Sequence, residues 1–201
     1  MAWVTMLGED EATGELRGRY EADLNQLGFV MEATRALSAN PALAMAVDAF
    51  EGAVKRTSHL TTRERRLIHL LVADRLRSTY CVLVFAIALE RDLGGKDGIR
   101  EVLRDYRVAP QLSAREVAVI DYALAAAVGH PSPEQIASLR EAGLDDAAIV
   151  DVATTACLRL FGSRLYDALG VETDPFFLEQ KDLVDAITGL VAVVTPGGTH
   201  A

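Results

Sequence analysis

Apolar residues recur at helical spacing along most of the chain, and no segment alternates apolar and polar residues as a half-buried strand does. The pattern therefore predicts an all-α fold. Breaks at Gly28, Pro110 and Gly170 separate the apolar segments. The predicted helices cover about residues 13–27, 31–37, 41–57, 62–76, 79–91, 97–106, 114–128, 133–142, 146–169 and 178–190.

Short polar motifs mark where several of these helices begin. A Ser or Thr followed three residues later by Glu or Gln forms a capping box, and Asn or Asp is a favoured N-cap. Such starts occur at Asn40-Pro41, Thr61 with Glu64, Ser113 with Glu116, Ser132 with Gln135, and Asp145.

The stretch Leu60–Arg91 stands out for its chemistry. One helix begins at Thr61, a break follows near Arg77-Ser78-Thr79, and a very apolar second helix carries Cys81 in its first turn. The positive end of a helix dipole favours a thiolate. This stretch is therefore where we first expect chemistry.

A faint repeat links two parts of the chain. Leu60–Glu64 resembles Leu112–Glu116, and Ile68 matches Ile120 in register. Two interpretations stay open: two independent capping boxes, or a duplicated helical unit in which only the first copy carries a site.

Composition narrows the choice of class and partner. With 50% hydrophobic residues in 201, the chain is expected to fold around a sizeable core. A net charge of −9 argues against nucleic acid and against an anionic membrane surface. We expect no membrane span and no export signal, so both cysteines are predicted to be free thiols of a cytoplasmic protein. Cys157, among apolar residues, is predicted to lie in the core.

No cofactor is expected from the motifs. The four histidines do not cluster at metal-ligand spacing, and no glycine-rich phosphate loop is present. The histidines are His59, His69, His130 and His200.

Several phrases in order make the chain similar to a known family. The phrases are Met1–Val4, Leu37–Leu43, Leu60–Arg65, Leu139–Leu144 and Arg164–Val171. On these phrases the chain resembles the alkylhydroperoxidase D-like, carboxymuconolactone decarboxylase superfamily, and within it the peroxidase-related branch.

The resemblance covers about residues 1–177. It implies one alkylhydroperoxidase D-like helical domain over 1–177, with core helices at about 40–170. Residues 178–201 lie outside the resemblance, and their own pattern predicts a C-terminal helix and a flexible tail. The resemblance also implies a homo-oligomer, a trimer or hexamer.

The family's chemistry uses a glutamate, a Cys-x-x-Cys pair opening a helix, and a histidine one turn later. The second cysteine attacks a hydroperoxide and the first resolves the sulfenic acid. On this chain the second cysteine falls on Cys81. Ser78 takes the place of the first cysteine, Phe85 that of the histidine and Arg66 that of the glutamate, while Tyr80 stands where a histidine is often found. The resemblance therefore implies peroxidase ancestry without the standard two-cysteine cycle.

Three functions remain open from the sequence. The first is residual thiol chemistry at Cys81, with Arg66 favouring the thiolate and His69 in an acid–base role. The second is a non-catalytic ligand-binding or structural oligomer. The third is a decarboxylase-like small-molecule enzyme using Arg66, His69 and Tyr80.

Each site residue also has a structural interpretation. Cys81 followed by apolar Phe85 fits a buried, inert thiol. Ser78 fits a helix N-cap, and Tyr80 a packing or interface residue. Arg66 fits either an anion contact at the start of the second helix or an ion pair with a nearby carboxylate.

Overall fold

The computed structural model describes residues 2–187, and every regular element in that range is an α-helix. The all-α prediction is thereby confirmed. The helices are α1 Gly14–Leu27, α2 Glu32–Ala36, α3 Pro41–Thr57, α4 Thr62–Arg75, α5 Thr79–Leu89, α6 Lys96–Asp105, α7 Ala114–Val128, α8 Pro133–Glu141, α9 Asp146–Leu169, α10 Pro175–Leu178 and α11 Lys181–Ile187.

The predicted helix starts form through local side-chain bonds. Thr61, Ser113 and Ser132 each complete a capping box, and the side chains of Asn40 and Asp145 accept bonds from the third residue of their helices. Each cap satisfies a backbone N–H that the helix itself leaves unpaired.

One continuous core holds the bundle together. Helices α4, α5, α7 and α9 pack against one another, with α4 in contact with all three others. Leu83 of α5 and Val152 of α9 are completely buried. Helix α5 is apolar on nearly every face because most of it lies inside this core, as Cys81, Val82 and Ala86 illustrate.

The two repeated phrases lie side by side and exchange ion pairs. Arg63 of α4 donates to Glu116 of α7 at 2.6 Å, and Arg115 of α7 donates to Glu64 of α4 at 2.7 Å. Arg63 and Arg115 hold the same place in the two phrases, as do Glu64 and Glu116. The two helix starts are therefore related by an approximate twofold exchange of partners, which favours a duplicated unit over two independent boxes.

The break between α4 and α5 is short and tightly bonded. Arg77 has a positive φ of 57°, the left-handed conformation that usually takes glycine. The N–H of Arg77 bonds to the Asp74 carbonyl, and the N–H of Ser78 bonds to the Ala73 carbonyl. These two bonds form a Schellman motif that ends α4. Ser78 is the last residue of this motif and also the residue from which α5 begins.

Two sequence expectations differ from the structure. Cys157 was predicted in the core, but it is exposed because it lies on the face of α9 that also carries exposed Val150 and Phe161. The apolar face predicted for α3 is only partly covered, since Leu43 and Phe50 are about half exposed.

The C-terminal part of the described chain packs on the bundle. Helix α10 was not predicted. In α11, Leu183 and Ile187 are buried, and α11 contacts α5 and α6. The predicted last helix extended to residue 190 and the predicted tail to 201, and residues 188–201 lie outside the described part of the chain.

Candidate functional site

Cys81 lies in the first turn of α5, at the centre of the site proposed from the sequence. Its side chain is 1% exposed and belongs to the main core. The thiol is free. The rings of Tyr80 and Tyr166 lie within electrostatic range of it. Chemistry at this thiol therefore requires a local opening of the core.

Ser78 occupies the N-cap position of α5, as predicted, but its side chain does not cap the helix. The Oγ is completely buried and lies near the Asp167 carboxyl, but without a hydrogen bond of ordinary geometry. The position expected for a resolving cysteine therefore holds a buried hydroxyl.

Arg66 does not point to the start of α5. Its Nη1 donates to the carbonyl of Ala88, near the other end of that helix, at 3.0 Å. Among residues 2–187, Arg66 has no carboxylate partner. It also does not reach the start of α5, where the sequence suggests an anion contact.

His69 and Phe85 are brought together. Their rings stack with centroids 4.6 Å apart and an interplanar angle of 22°. The Nδ1 of His69 is buried without a hydrogen-bond partner in the described residues. Burial, the largest cause, lowers the pKa of His69 well below its usual value. The positive charges of Arg159, Lys55 and Arg65 lower this pKa further. The imidazole is therefore neutral at neutral pH.

Arg159 of α9 lies next to this stack. Its guanidinium carbon is 5.3 Å from the centroid of the Phe85 ring and 6.0 Å from that of Tyr166. The side chain is only 7% exposed, its Nε has no hydrogen-bond partner, and no ion pair within residues 2–187 includes it. A buried cation without an anion is costly, since rings offset only part of its lost hydration.

Gly162 makes room for the guanidinium. A Cβ at this position would lie 2.1 Å from Nη2 of Arg159. The guanidinium therefore lies directly over the next turn of its own helix, towards Tyr166.

Two hydroxyls flank Arg159 on α9. Thr155 and Ser163 lie one turn before and one turn after it, and both are fully buried. Neither Oγ has a hydrogen-bond partner in the described part of the chain. One face of α9 thus carries three polar side chains with unpaired atoms.

Tyr80 has a structural partner. Its hydroxyl donates to Asp174 at 3.2 Å, and the other carboxyl oxygen of Asp174 accepts from the N–H of Glu32 at 2.9 Å. Burial, and then the adjacent carboxyl, raises the pKa of Tyr80 well above its usual value, so the hydroxyl keeps its proton. The ring of Tyr80 meets that of Tyr166 edge-on, with centroids 6.0 Å apart.

A small cavity lies at the other side of this cluster. It has a volume of about 40 Å³, and Tyr166 forms part of its wall together with residues of α1, α2 and α3. Arg19, Asp48 and Glu51 supply its charged groups.

Of the residues proposed from the sequence, the structure joins His69 with Phe85, while Arg66 and Tyr80 have other partners. Sequence reasoning missed Arg159 and Asp174. Arg159 could have been found, because it falls three residues after Ala156 on the predicted apolar face of α9. Asp174 precedes Pro175 and carries no distinct signal.

Among residues 2–187, no group of three or more His, Cys, Asp and Glu side chains is placed to hold a metal ion.

No protein-family model matches the sequence, and a comparison with curated proteins finds no match. Solved structures do match. An uncharacterized peroxidase-related protein from Ralstonia eutropha JMP134, described as an alkylhydroperoxidase AhpD core, is 21% identical with a TM-score of 0.79, over 88% of this chain and 94% of that one. An uncharacterized peroxidase-related protein from Silicibacter sp. TM1040 is 23% identical with a TM-score of 0.74, over 86% and 93%.

A third match is an enzyme. A cysteine-to-alanine variant of the debrominase Bmp8, in complex with 2,3,4-tribromopyrrole, is 18% identical with a TM-score of 0.76, over 92% of this chain and 97% of that one. At such identities the likeness establishes the fold, on which more than one activity occurs. The chain has the alkylhydroperoxidase D-like helical fold that these peroxidase-related proteins share.

Proposed function

We propose that this protein is a small-molecule-binding, peroxidase-related protein that does not catalyse two-cysteine reduction of hydroperoxides. The observation that carries the proposal is the surroundings of Cys81: a thiol that is 1% exposed, with a serine three residues before it. A sulfenic acid formed on Cys81 would have no neighbouring thiol in the motif to resolve it.

The remaining groups support binding rather than the family's proton relay. Phe85 carries no proton and stacks on His69. His69 and Arg159 both keep buried nitrogen atoms unpaired in the described part of the chain. Buried polar atoms in folded proteins nearly always have partners, so their concentration here favours a ligand.

Peroxide turnover tests the first half of the proposal. Purified protein is mixed with hydrogen peroxide or tert-butyl hydroperoxide and dithiothreitol, and peroxide loss is followed. We expect wild type and Cys81→Ser to match the protein-free rate. Turnover that disappears in Cys81→Ser would contradict the proposal.

Thiol titration tests the burial of Cys81 itself. We expect a disulfide reagent at neutral pH to modify one thiol per native chain, exposed Cys157, and a second only after denaturation. The matched control, Cys157→Ser, should show no rapidly reacting thiol.

Protein-detected NMR with a mixed set of small neutral, acidic and basic compounds tests the binding half of the proposal. We expect binders that perturb the resonances of Phe85 and Tyr166. If no compound of any charge class does so, the binding function fails.

One-thiol chemistry at Cys81 is the second candidate. Its support is the place of Cys81 in the first turn of α5, together with the occurrence of a debrominase on the same fold. Rapid alkylation of Cys81 in the native protein would favour this candidate. The decarboxylase-like alternative has less support, because Arg66, His69 and Tyr80 bond or stack with three different partners.

We also propose a homo-oligomer, a trimer or hexamer. Exposed apolar side chains on adjacent helices support it: Leu43 and Phe50 of α3, and Phe161 of α9. Light scattering coupled to size exclusion should show a multiple of the chain mass that Phe50→Glu reduces. A monomer at micromolar concentration would contradict the proposal.

A further inference from the structure

Most of the unpaired buried polar atoms in the described part of the chain lie close together, and Gln111 Oε1 is separate from them. Three lie at four-residue intervals on one face of α9, in Thr155, Arg159 and Ser163. His69, on the facing helix α4, supplies a fourth. Such clustering indicates a partner that is not part of residues 2–187.

Arg159 determines the sign of that partner. Its guanidinium is always charged and makes no ion pair in the described chain. The exposed carboxylate of Asp167, two turns further along α9, acts on it only through space. The rings of Phe85 and Tyr166 lie 5.3 and 6.0 Å from its carbon. Aromatic rings contact a guanidinium through the faces of the guanidinium. The N–H groups of the guanidinium lie in its plane and point outwards along its edge, so they stay available for an acceptor.

The hydroxyls of Thr155 and Ser163 point to the same conclusion. Within a helix such hydroxyls commonly bond back to the carbonyl one turn earlier. Neither does so here, although both side chains are fully buried. They are therefore free to donate to an acceptor beside Arg159.

We propose that Arg159 binds the carboxylate of a small, singly charged organic acid, with Thr155 and Ser163 donating from the adjacent turns and His69 adding a neutral ring nitrogen. This ligand class rests on the proposed binding function and specifies it. The carboxylate would supply the negative charge that the buried guanidinium lacks.

Charge favours a carboxylate over phosphate. One unpaired guanidinium matches one negative charge, and its fork geometry suits both oxygens of a carboxylate. A phosphate carries more charge at neutral pH, and the excess would be buried without a partner.

The rings beside the guanidinium bear on the rest of the ligand. Phe85 and Tyr166 lie 5.3 and 6.0 Å from the guanidinium carbon and favour a small apolar substituent next to the carboxylate. Acetate and propionate are the simplest probes of this class.

Binding is measured by titration calorimetry and by the rise in Tm, with sodium acetate, sodium propionate, inorganic phosphate and sodium chloride as probes at equal ionic strength. We expect acetate and propionate to bind and to raise Tm, and phosphate and chloride to leave it unchanged. Phosphate binding tighter than acetate would overturn the carboxylate assignment.

Two variants test Arg159, and one serves as the control. Arg159→Met should weaken acetate binding about tenfold or more. It should also raise the Tm of the ligand-free protein, because it removes an unpaired buried charge. Gly162→Ala should weaken binding as well, because its Cβ would displace the guanidinium from 2.1 Å. Arg164→Met, an exposed arginine on the same helix, should bind acetate as wild type does.

Gly162→Ala keeps the test decisive if Arg159→Met fails to fold, since alanine in a helix does not weaken it. Acetate binding that is unchanged in Gly162→Ala and Arg159→Met overturns the proposal. Neutral compounds that bind at Phe85 and Tyr166 without any carboxylate binding would overturn the ligand class alone and leave the binding function in place.

Discussion

A single carboxyl group, that of Asp174, joins three segments of the chain. It is 2% exposed and accepts bonds from the Tyr80 hydroxyl of α5 and the Glu32 N–H at the start of α2. It also stands directly before α10. Burial raises the pKa of Asp174 to about 6, against the two hydrogen bonds that favour its charged form.

This residue should make stability depend on pH. Its pKa in the folded protein lies above its unfolded value, so its contribution is complete below about pH 4 and is lost as pH rises through 6. The loss corresponds to roughly 2–3 kcal/mol. Asp174→Asn should reduce, but not abolish, the wild-type decline between pH 4 and pH 7 in urea unfolding, because burial also raises the pKa of Asp74 to about 6. The exposed Asp10→Asn variant should leave the decline intact. An unchanged decline in Asp174→Asn would contradict the contribution of Asp174.

At residue scale the sequence predicts a site around Cys81, but it does not predict the side-chain contacts that the structure shows there. The stacking of His69 on Phe85 was not predictable, because 16 positions and a helix break separate them. Arg159 meets Phe85 across an even longer separation. The error at Cys157 has the same origin: apolar neighbours along the chain do not decide which face of α9 meets the bundle.

Individual helices were far more predictable. The capping boxes of α4, α7 and α8 depend on contacts three residues apart, so the sequence contains all the information they need. Helix α10, with four residues, was missed because one turn has too little periodicity to detect.

The reciprocal ion pairs between α4 and α7 differ from these local caps, because they join two helices that are far apart in the sequence. Glu64 is 4% exposed. Burial alone would raise its pKa, but the Thr61 N–H and Arg115 outweigh burial and hold it below its usual value. The stabilisation by this carboxylate is therefore present above its unfolded pKa and is lost as pH falls through the lower folded pKa.

A double-mutant cycle on Arg115→Ala and Glu64→Gln measures this coupling. We expect an interaction free energy of about 1–3 kcal/mol at pH 7 by chemical denaturation. The coupling should shrink as pH falls below the range where Glu64 is charged. The exposed pair Arg17 and Glu21 is the control and should couple by less than about 0.5 kcal/mol. Equal coupling at both sites would mean that burial adds nothing.

On the scale of the whole molecule, the described helices enclose a main apolar core and a smaller cluster around α1, and α11 takes part in the main core. Leu183 and Ile187 belong to the same apolar cluster as Leu67 and Leu83. The Nε–H of Arg100 in α6 donates to the Ala186 carbonyl at 3.3 Å. In the described part of the chain, no helix is long and apolar enough to cross a membrane.

Truncation of a single side chain in α11 tests this view. Ile187 is completely buried, so Ile187→Ala should lower the free energy of unfolding by about 2–4 kcal/mol. Val150→Ala, at a position 62% exposed, should change it by less than about 0.5 kcal/mol. A small effect at Ile187, measured by urea denaturation, would mean that α11 is held only loosely.

The exchange of ion pairs between Arg63, Glu64, Arg115 and Glu116 has a consequence for how the chain can be divided. Each helix start is completed by a side chain from the other copy. A cut in the loop before Ser113 would separate Arg63 from Glu116 and Glu64 from Arg115, although Arg63 would keep its bonds to the carbonyls of Asp92 and Gln111. We therefore expect the two resulting fragments to be unfolded when expressed separately, and to assemble into one cooperative unit when they are mixed.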